Sequence, residues 1–273
     1  MTERPRPYIG VSGVINTPQQ EKLIEQFKQS DLDSSRYLAL GVKATHKTQF
    51  LDQENKYGPE WYPVGAQGFG EALTPQVDSL NVAQLFLDPA HVSDRQYRYE
   101  FIDRVHRRGA AWLDAVQFDM LPWQQDSSLV PFFEKIKYEM GLKILLQAHN
   151  EPMQSLGPNK LTGALGRYAH VLDYVLFDAS HGNGVRMSTD RLQPFLDVAY
   201  QSHELQAVGL GVAGGLNSAV VREDLPALLR DYPDLSWDAE GQLHPVNTAG
   251  KRPLDMKLAA EYIAASAEVL RSV

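Results

Sequence analysis

The 273-residue chain contains no cysteine, which excludes disulfides, zinc–thiolate centres and a cysteine nucleophile. No apolar run approaches the ~18 residues that a bilayer-spanning helix requires. The opening Met-Thr-Glu-Arg-Pro-Arg-Pro is not followed by an apolar stretch of signal-peptide type. Positive charge is in deficit: 26 Lys and Arg stand against 34 Asp and Glu, a formal net charge of -8. A chain this acidic has no general electrostatic reason to bind nucleic acid or an anionic membrane. No linker rich in Gly, Pro or Ser divides residues 1–273. These absences lead to the expectation of a cytoplasmic protein of one domain, and a hydrophobic content of 43% suffices to bury a large core.

What is present is a repeated unit. Short, nearly continuous apolar runs occur at 8–13, 37–44, 82–87, 113–118, 143–148, 174–179, 208–213 and, most weakly, 235–239. Helical spacing follows most of them. Leu23, Ile24 and Phe27 form one apolar face behind Thr17 as N-cap and Pro18 in the first turn. Tyr99, Ile102 and Val105 form a second face ending at Gly109, and Val130, Phe133, Ile136 and Met140 a third with Gly141 as its stop. A last helix is expected from about Pro253 through Leu254, Leu258, Ile263 and Leu270. Strands alternating with helices imply right-handed crossovers and a parallel sheet. Runs apolar on both faces fit strands covered on both sides. Eight such units predict the α/β class and a single eight-stranded parallel (β/α)8 barrel. The longest irregular stretch, 45–78 after the second strand, reads as an ordered insertion or lid because it carries Pro59, Trp61, Tyr62, Pro63 and Phe69. Trp61 and Phe69 offer a candidate homodimer surface.

In such a barrel the active site lies at the carboxyl ends of the strands. Ser12, Lys43, His46, Gln117, Asp119, His149, Asp178, His181, Asp238 and Glu240 fall there. Gly-bearing turns follow the sixth, seventh and eighth strands, at Gly182 and Gly184, Gly214 and Gly215, and Gly241. Glycine lets backbone N–H groups approach an anion closely, and the loops after the seventh and eighth strands commonly hold phosphate. Asn217 stands where it can cap the following helix. The expectation is a phosphorylated small-molecule substrate gripped by these turns, with Lys43, His46, Gln117, His181 and Asp238 lining the remainder.

These segments together resemble phosphoribosylanthranilate isomerase, the phosphosugar isomerase of tryptophan biosynthesis. The resemblance is carried by Ser12-Gly13-Val14-Ile15-Asn16, Asp114-Ala115-Val116-Gln117-Phe118-Asp119, Leu176-Phe177-Asp178-Ala179, Val212-Ala213-Gly214-Gly215-Leu216-Asn217, Asp238-Ala239-Glu240-Gly241 and Gly250-Lys251-Arg252-Pro253-Leu254-Asp255. It implies a (β/α)8 barrel without cofactor or metal, performing acid/base proton transfer on a phosphorylated sugar derivative. Asp178 matches the family's general acid. The family's general base is a cysteine, and Ser12 stands in its place; a hydroxyl needs a neighbouring base to act. Asp119 replaces a family histidine, and the family's arginine after the second strand has no direct counterpart beside Lys43 and Lys47. The resemblance therefore implies an altered substrate, with Asp178, Ser12, Asp119 and His149 as candidate catalytic residues. Two other readings stay open. Asp119, His149, Asp178 and His181 are mixed ligands suited to a divalent metal in a lyase or hydrolase. A barrel that has lost the family base could bind a phosphorylated ligand without turnover. Lys43 as a Schiff-base amine is a weaker variant.

Overall fold

The computed structural model describes residues 3–273 except 74, 76, 77, 125, 127, 179 and 181–184. Eight parallel strands close into one barrel in sequence order: β1 Tyr8–Ser12, β2 Tyr37–Thr45, β3 Ser79–Phe86, β4 Ala115–Phe118, β5 Lys143–His149, β6 Tyr174–Asp178, β7 Gly209–Ala213 and β8 Ser236–Ala239. Closure is made by β1 on β8, with Ile9 opposite Trp237 and Val11 opposite Ala239. Around the barrel run helices α1 Thr17–Gln29, α2 Gly65–Glu71, α3 Arg95–Gly109, α4 Leu129–Glu134, α5 Asn150–Gly166, α6 Thr189–Gln201, α7 Ser218–Asp231 and α8 Met256–Ser272. The expected strands stand within a few residues of their predicted bounds. No helix among the described residues is long and apolar enough to cross a membrane.

The period-2 alternation of strand side chains sorts the core into two parts. Ile9 and Val11, Leu38, Leu40 and Val42, and Ile144 and Leu146 belong to the large cluster shared with the helices. Tyr8, Ala39, Leu80, Val82, Ala115, Leu145 and Tyr174 form a separate small cluster inside the barrel. Tyr8 and Tyr174 meet edge to face there, with ring centroids 5.1 Å apart. One or two alternations further along the same strands, the side chains become polar.

Local signals held with small shifts. Asn16, and not Thr17, caps α1: its side chain accepts from Gln19 N–H, while Gln19 Oε1 accepts from the Ile15 N–H. Asn217 caps α7 as expected, accepting from Ala219 and Val220. The last helix starts at Met256, not Pro253, because the Asp255 side chain accepts from the N–H groups of Lys257 and Leu258. α4 continues as a wider π-type turn over Lys135–Glu139 before Gly141 stops it at φ 70°. α5 is broken at Gly157, ahead of Pro158.

The described residues of the insertion after β2 form regular turns and bury Trp61, Tyr62 and Phe69. The insertion opens with a π-type turn, His46–Phe50, capped by Thr45, and ends with α2. Phe69 is fully buried, and Trp61 and Tyr62 are buried over the barrel mouth. Trp61 and Phe69 are thus engaged within the chain's own fold.

Candidate active site

A cavity of about 480 Å³ opens at the carboxyl ends of the strands. Its floor and sides are polar residues in the alternating series of the barrel interior: Gln84 from β3, Gln117 from β4, Gln147 from β5, Asp178 from β6 and Asp238 from β8, with Lys43 from β2. Asp119 and Glu240 follow β4 and β8 in the same alternation. One wall is aromatic, built by Tyr57, Trp61 and Tyr62 of the insertion together with Phe86.

Two hydrogen-bonded chains end on carboxylates. Gln117 Nε2 donates to Gln147 Oε1 at 3.0 Å, and Gln147 Nε2 donates to Asp178 Oδ2 at 3.1 Å. The other Asp178 oxygen accepts from the Ser180 N–H at 2.8 Å, so both oxygens are engaged as acceptors. Across the barrel, Gln84 Nε2 donates to Ser12 Oγ at 2.6 Å, and Ser12 Oγ donates toward the Asp238 oxygens, 3.1 Å from each. Burial and the neighbouring negative charge of Glu240 push the Asp238 carboxyl up to about 7, against the pull of Ser12 and Lys43. Asp238 therefore changes charge near neutral pH. Burial also raises Asp119, with His149 opposing.

Lys43 is almost wholly buried and pairs with Glu240, Nζ to Oε1 at 2.5 Å. Trp61, Tyr62 and Phe86 surround the ammonium at 4.8, 5.1 and 4.9 Å from their ring centroids, a cation–π cage. Burial alone would lower this lysine, but Glu240 and Tyr62 outweigh it and hold the ammonium above the ordinary value. The ion pair and the aromatic cage favour the protonated amine, the form that has no lone pair for attack on a carbonyl. Arg252 also lines the cavity; it donates to the carbonyls of His244 and Gly241, and no carboxylate pairs with it among the described residues.

The turn after β7 has a packing reason for both glycines. Gly214 and Gly215 have φ of 123° and 59°, and a Cβ would lie 2.8 Å from Ser180 Cβ at the first and 2.6 Å from the Val185 carbonyl at the second. Both line the cavity, as does Gly241, which starts a single 3₁₀ turn, Gly241–Leu243.

The cavity thus gathers Asp178, Asp119, Asp238, Lys43, Gln117, Gly214, Gly215 and Gly241 from the expected set. Others fall elsewhere. Ser12 is buried and hydrogen-bonds to Asp238 without lining the cavity. His149 stands outside the cavity wall; its Nδ1 is buried without a partner, and its Nε2 lies 3.9 Å from Glu151. His46 belongs to a separate groove beyond Tyr62 and Phe86, stacked on Phe50 and hydrogen-bonded to the Tyr97 hydroxyl at 2.9 Å. His181, Gly182 and Gly184 lie outside the described residues. Among the described residues, no group of three or more His, Asp or Glu side chains is arranged to hold a metal ion. Gln147, the polar residue before His149 at the end of the fifth strand, also reaches the cavity, as its place at a strand end implies. The sequence reading missed Gln84 and Arg252. Gln84 was legible as an inward position, two residues beyond Val82; Arg252 carried no signal beyond its place in the Gly250–Asp255 segment.

No protein-family model matches the chain, and no curated protein matches it. Solved structures do. Phosphoribosyl anthranilate isomerase from Thermococcus kodakaraensis superposes with a TM-score of 0.54 at 16% identity, covering 98% of this chain and 100% of that one. Tryptophan synthase alpha chain from Legionella pneumophila gives 0.52 at 13% identity, covering 98% and 93%. Octameric ribulose-1,5-bisphosphate carboxylase/oxygenase from Pyrococcus horikoshii gives 0.56 at 15% identity, covering 98% of this chain and 59% of that chain. At these identities the likeness establishes the fold: the protein is an eight-stranded parallel β/α barrel.

Proposed function

We propose that the protein is an isomerase-type enzyme that moves a proton within a small phosphorylated sugar or sugar derivative, with Asp238 as acid and Asp178 as base. The observation that carries this reading is the Asp238 carboxyl, buried in the wall of the same cavity that Asp178 lines, where burial and the charge of Glu240 push it up to about 7. A group that titrates close to working pH transfers protons most effectively. Asp178, with acceptor contacts on both oxygens, takes the complementary role. This reverses the acid role that the family resemblance implies for Asp178 and replaces the missing cysteine with a carboxyl on a different strand. A cavity of about 480 Å³ suits a substrate of this size. The amides of Gln84, Gln117, Gln147 and Gln242 and the aromatic wall suit hydroxyls and ring faces. Gly214, Gly215 and Gly241, with Arg252 beside them, are the end where phosphate would be held.

Solvent exchange tests the reading across a set of candidate substrates. The protein is incubated in D2O with a panel of phosphorylated aldoses, ketoses and their amino derivatives, and carbon-bound deuterium is followed by NMR. Exchange or isomerisation of one compound is expected, and Asp238→Asn should slow it about 10²- to 10⁴-fold. Undiminished exchange in Asp238→Asn rejects the assignment.

A further inference from the structure

The route by which Asp238 is held carries more than the acid role requires. Gln84, Ser12 and Asp238 come from β3, β1 and β8 and are all buried. A hydroxyl has one hydrogen and two acceptor positions. The Gln84 amide occupies an acceptor position on Ser12 at 2.6 Å, leaving the Ser12 hydrogen for the Asp238 carboxyl at 3.1 Å. The chain therefore has a direction, amide to hydroxyl to carboxylate. Two mid-strand glycines make room for it. A Cβ on Gly10 would lie 2.3 Å from Asp238 Oδ1, and a Cβ on Gly41 would lie 2.8 Å from Ser12 Oγ and 2.9 Å from Gln84 Cδ. Glycine inside a strand weakens it and often marks a close approach; here each of these two stands where the chain passes.

We propose that Gln84 and Ser12 are positioning residues that aim the Asp238 carboxyl at the cavity and set how readily it accepts a proton, and that Gly10 and Gly41 exist to admit this relay. The proposal rests on the reading of Asp238 as the proton-transferring group. Asp238 is faced by Glu240 from its own strand end, Lys43 from β2, Asp178 from β6, and the phenols of Tyr8 on β1 and Tyr262 on α8. All of these remain when Ser12 or Gln84 is changed, so a difference between variants reports the relay.

The test is a carboxyl ¹³C NMR titration of aspartate-labelled protein, with the Asp238 signal assigned by its loss in Asp238→Asn. Ser12→Ala should raise the Asp238 midpoint by about one pH unit, because the ionised form loses its donor. Ser12→Cys, a weaker donor, should fall between. Gln84→Met should raise the midpoint by less than Ser12→Ala, and the double variant should match Ser12→Ala alone, because Gln84 acts only through Ser12. If Ser12→Ala does not fold, the Ser12→Cys and Gln84→Met shifts carry the measurement. An unmoved midpoint in the Ser12 variants, or full additivity in the double variant, overturns the relay. The two proposals fail separately: a normal Ser12 shift beside unimpaired turnover in Asp238→Asn keeps the relay and rejects the acid role.

Discussion

The two halves of the barrel interior are built on the same strands by the same alternation, yet they do opposite things. In the lower half, Tyr8, Leu80, Val82, Ala115, Leu145 and Tyr174 exclude water and pack on one another. In the upper half, the inward positions one or two alternations further along carry Ser12, Lys43, Gln84, Gln117, Gln147, Asp178 and Asp238. The lower layer lowers the free energy of the fold. The upper layer gives up some of that stability to hold carboxylates and an ammonium out of bulk water, where each needs partners. The difference teaches that the site is supported from beneath by a dry plug, and that variants in the two halves should separate stability from chemistry.

The largest expected effect belongs to the plug. Tyr174→Ala removes a fully buried ring that packs on Tyr8 and donates to the Arg6 carbonyl at 2.6 Å. It should destabilise the protein by about 3–5 kcal/mol, read as a fall in the denaturant midpoint, while the cavity chemistry of the remaining folded molecules is retained. A loss below about 1 kcal/mol would show that the lower layer is not a support.

The upper half should respond in the opposite direction. The Asp238 carboxyl moves from 3.8 in the unfolded chain to about 7 in the fold. Between these values the native state binds more protons than the unfolded one, so stability falls as pH rises through the window. The decline should total a few kcal/mol by pH 8, since each tenfold change in proton affinity is worth about 1.4 kcal/mol. Asp238→Asn should flatten it and leave the variant more stable than the parent at pH 8, even as turnover is lost. Denaturant melts at pH 5 and pH 8 check this; parallel pH dependences in parent and variant would contradict it.

Gly10→Ala probes the boundary between the halves. A methyl placed 2.3 Å from Asp238 Oδ1 must displace the carboxyl, at a cost of about 1–3 kcal/mol by overpacking. The signature that sharpens the comparison is a loss of turnover larger than the loss of folded protein. The smallest effect is expected at the rim. Arg252→Ala should weaken inhibition by inorganic phosphate roughly tenfold, about 1.4 kcal/mol. Unchanged inhibition would remove Arg252 from the phosphate end.

Much of the molecule was legible residue by residue. The apolar runs marked every strand, because a strand between a barrel interior and a helix layer is apolar on both faces over most of its length. The Asn217 cap and the Gly141 stop were readable because they depend on neighbours within a few positions. The site was legible only as a ring of strand ends. His46 follows β2 and His149 ends β5, yet neither lines the cavity: His46 stacks on Phe50 in the groove beyond Tyr62 and Phe86, and His149 stands outside the cavity wall. Ser12 was placed at the reactive centre by its position in a motif, but whether a hydroxyl meets a ligand or a carboxylate depends on β8, more than two hundred residues away in sequence.

By itself, the sequence determined the closed eight-stranded barrel, its order and the face on which the polar groups would gather, since these follow from local periodicity and the handedness of β/α crossovers. Tertiary structure decided which carboxyl titrates near neutrality, which lysine is caged by aromatics and which glycines serve packing. Those properties arise from burial and from contacts between distant strands. Desolvation and Coulomb interactions act through space, and the linear chain does not encode their distances directly.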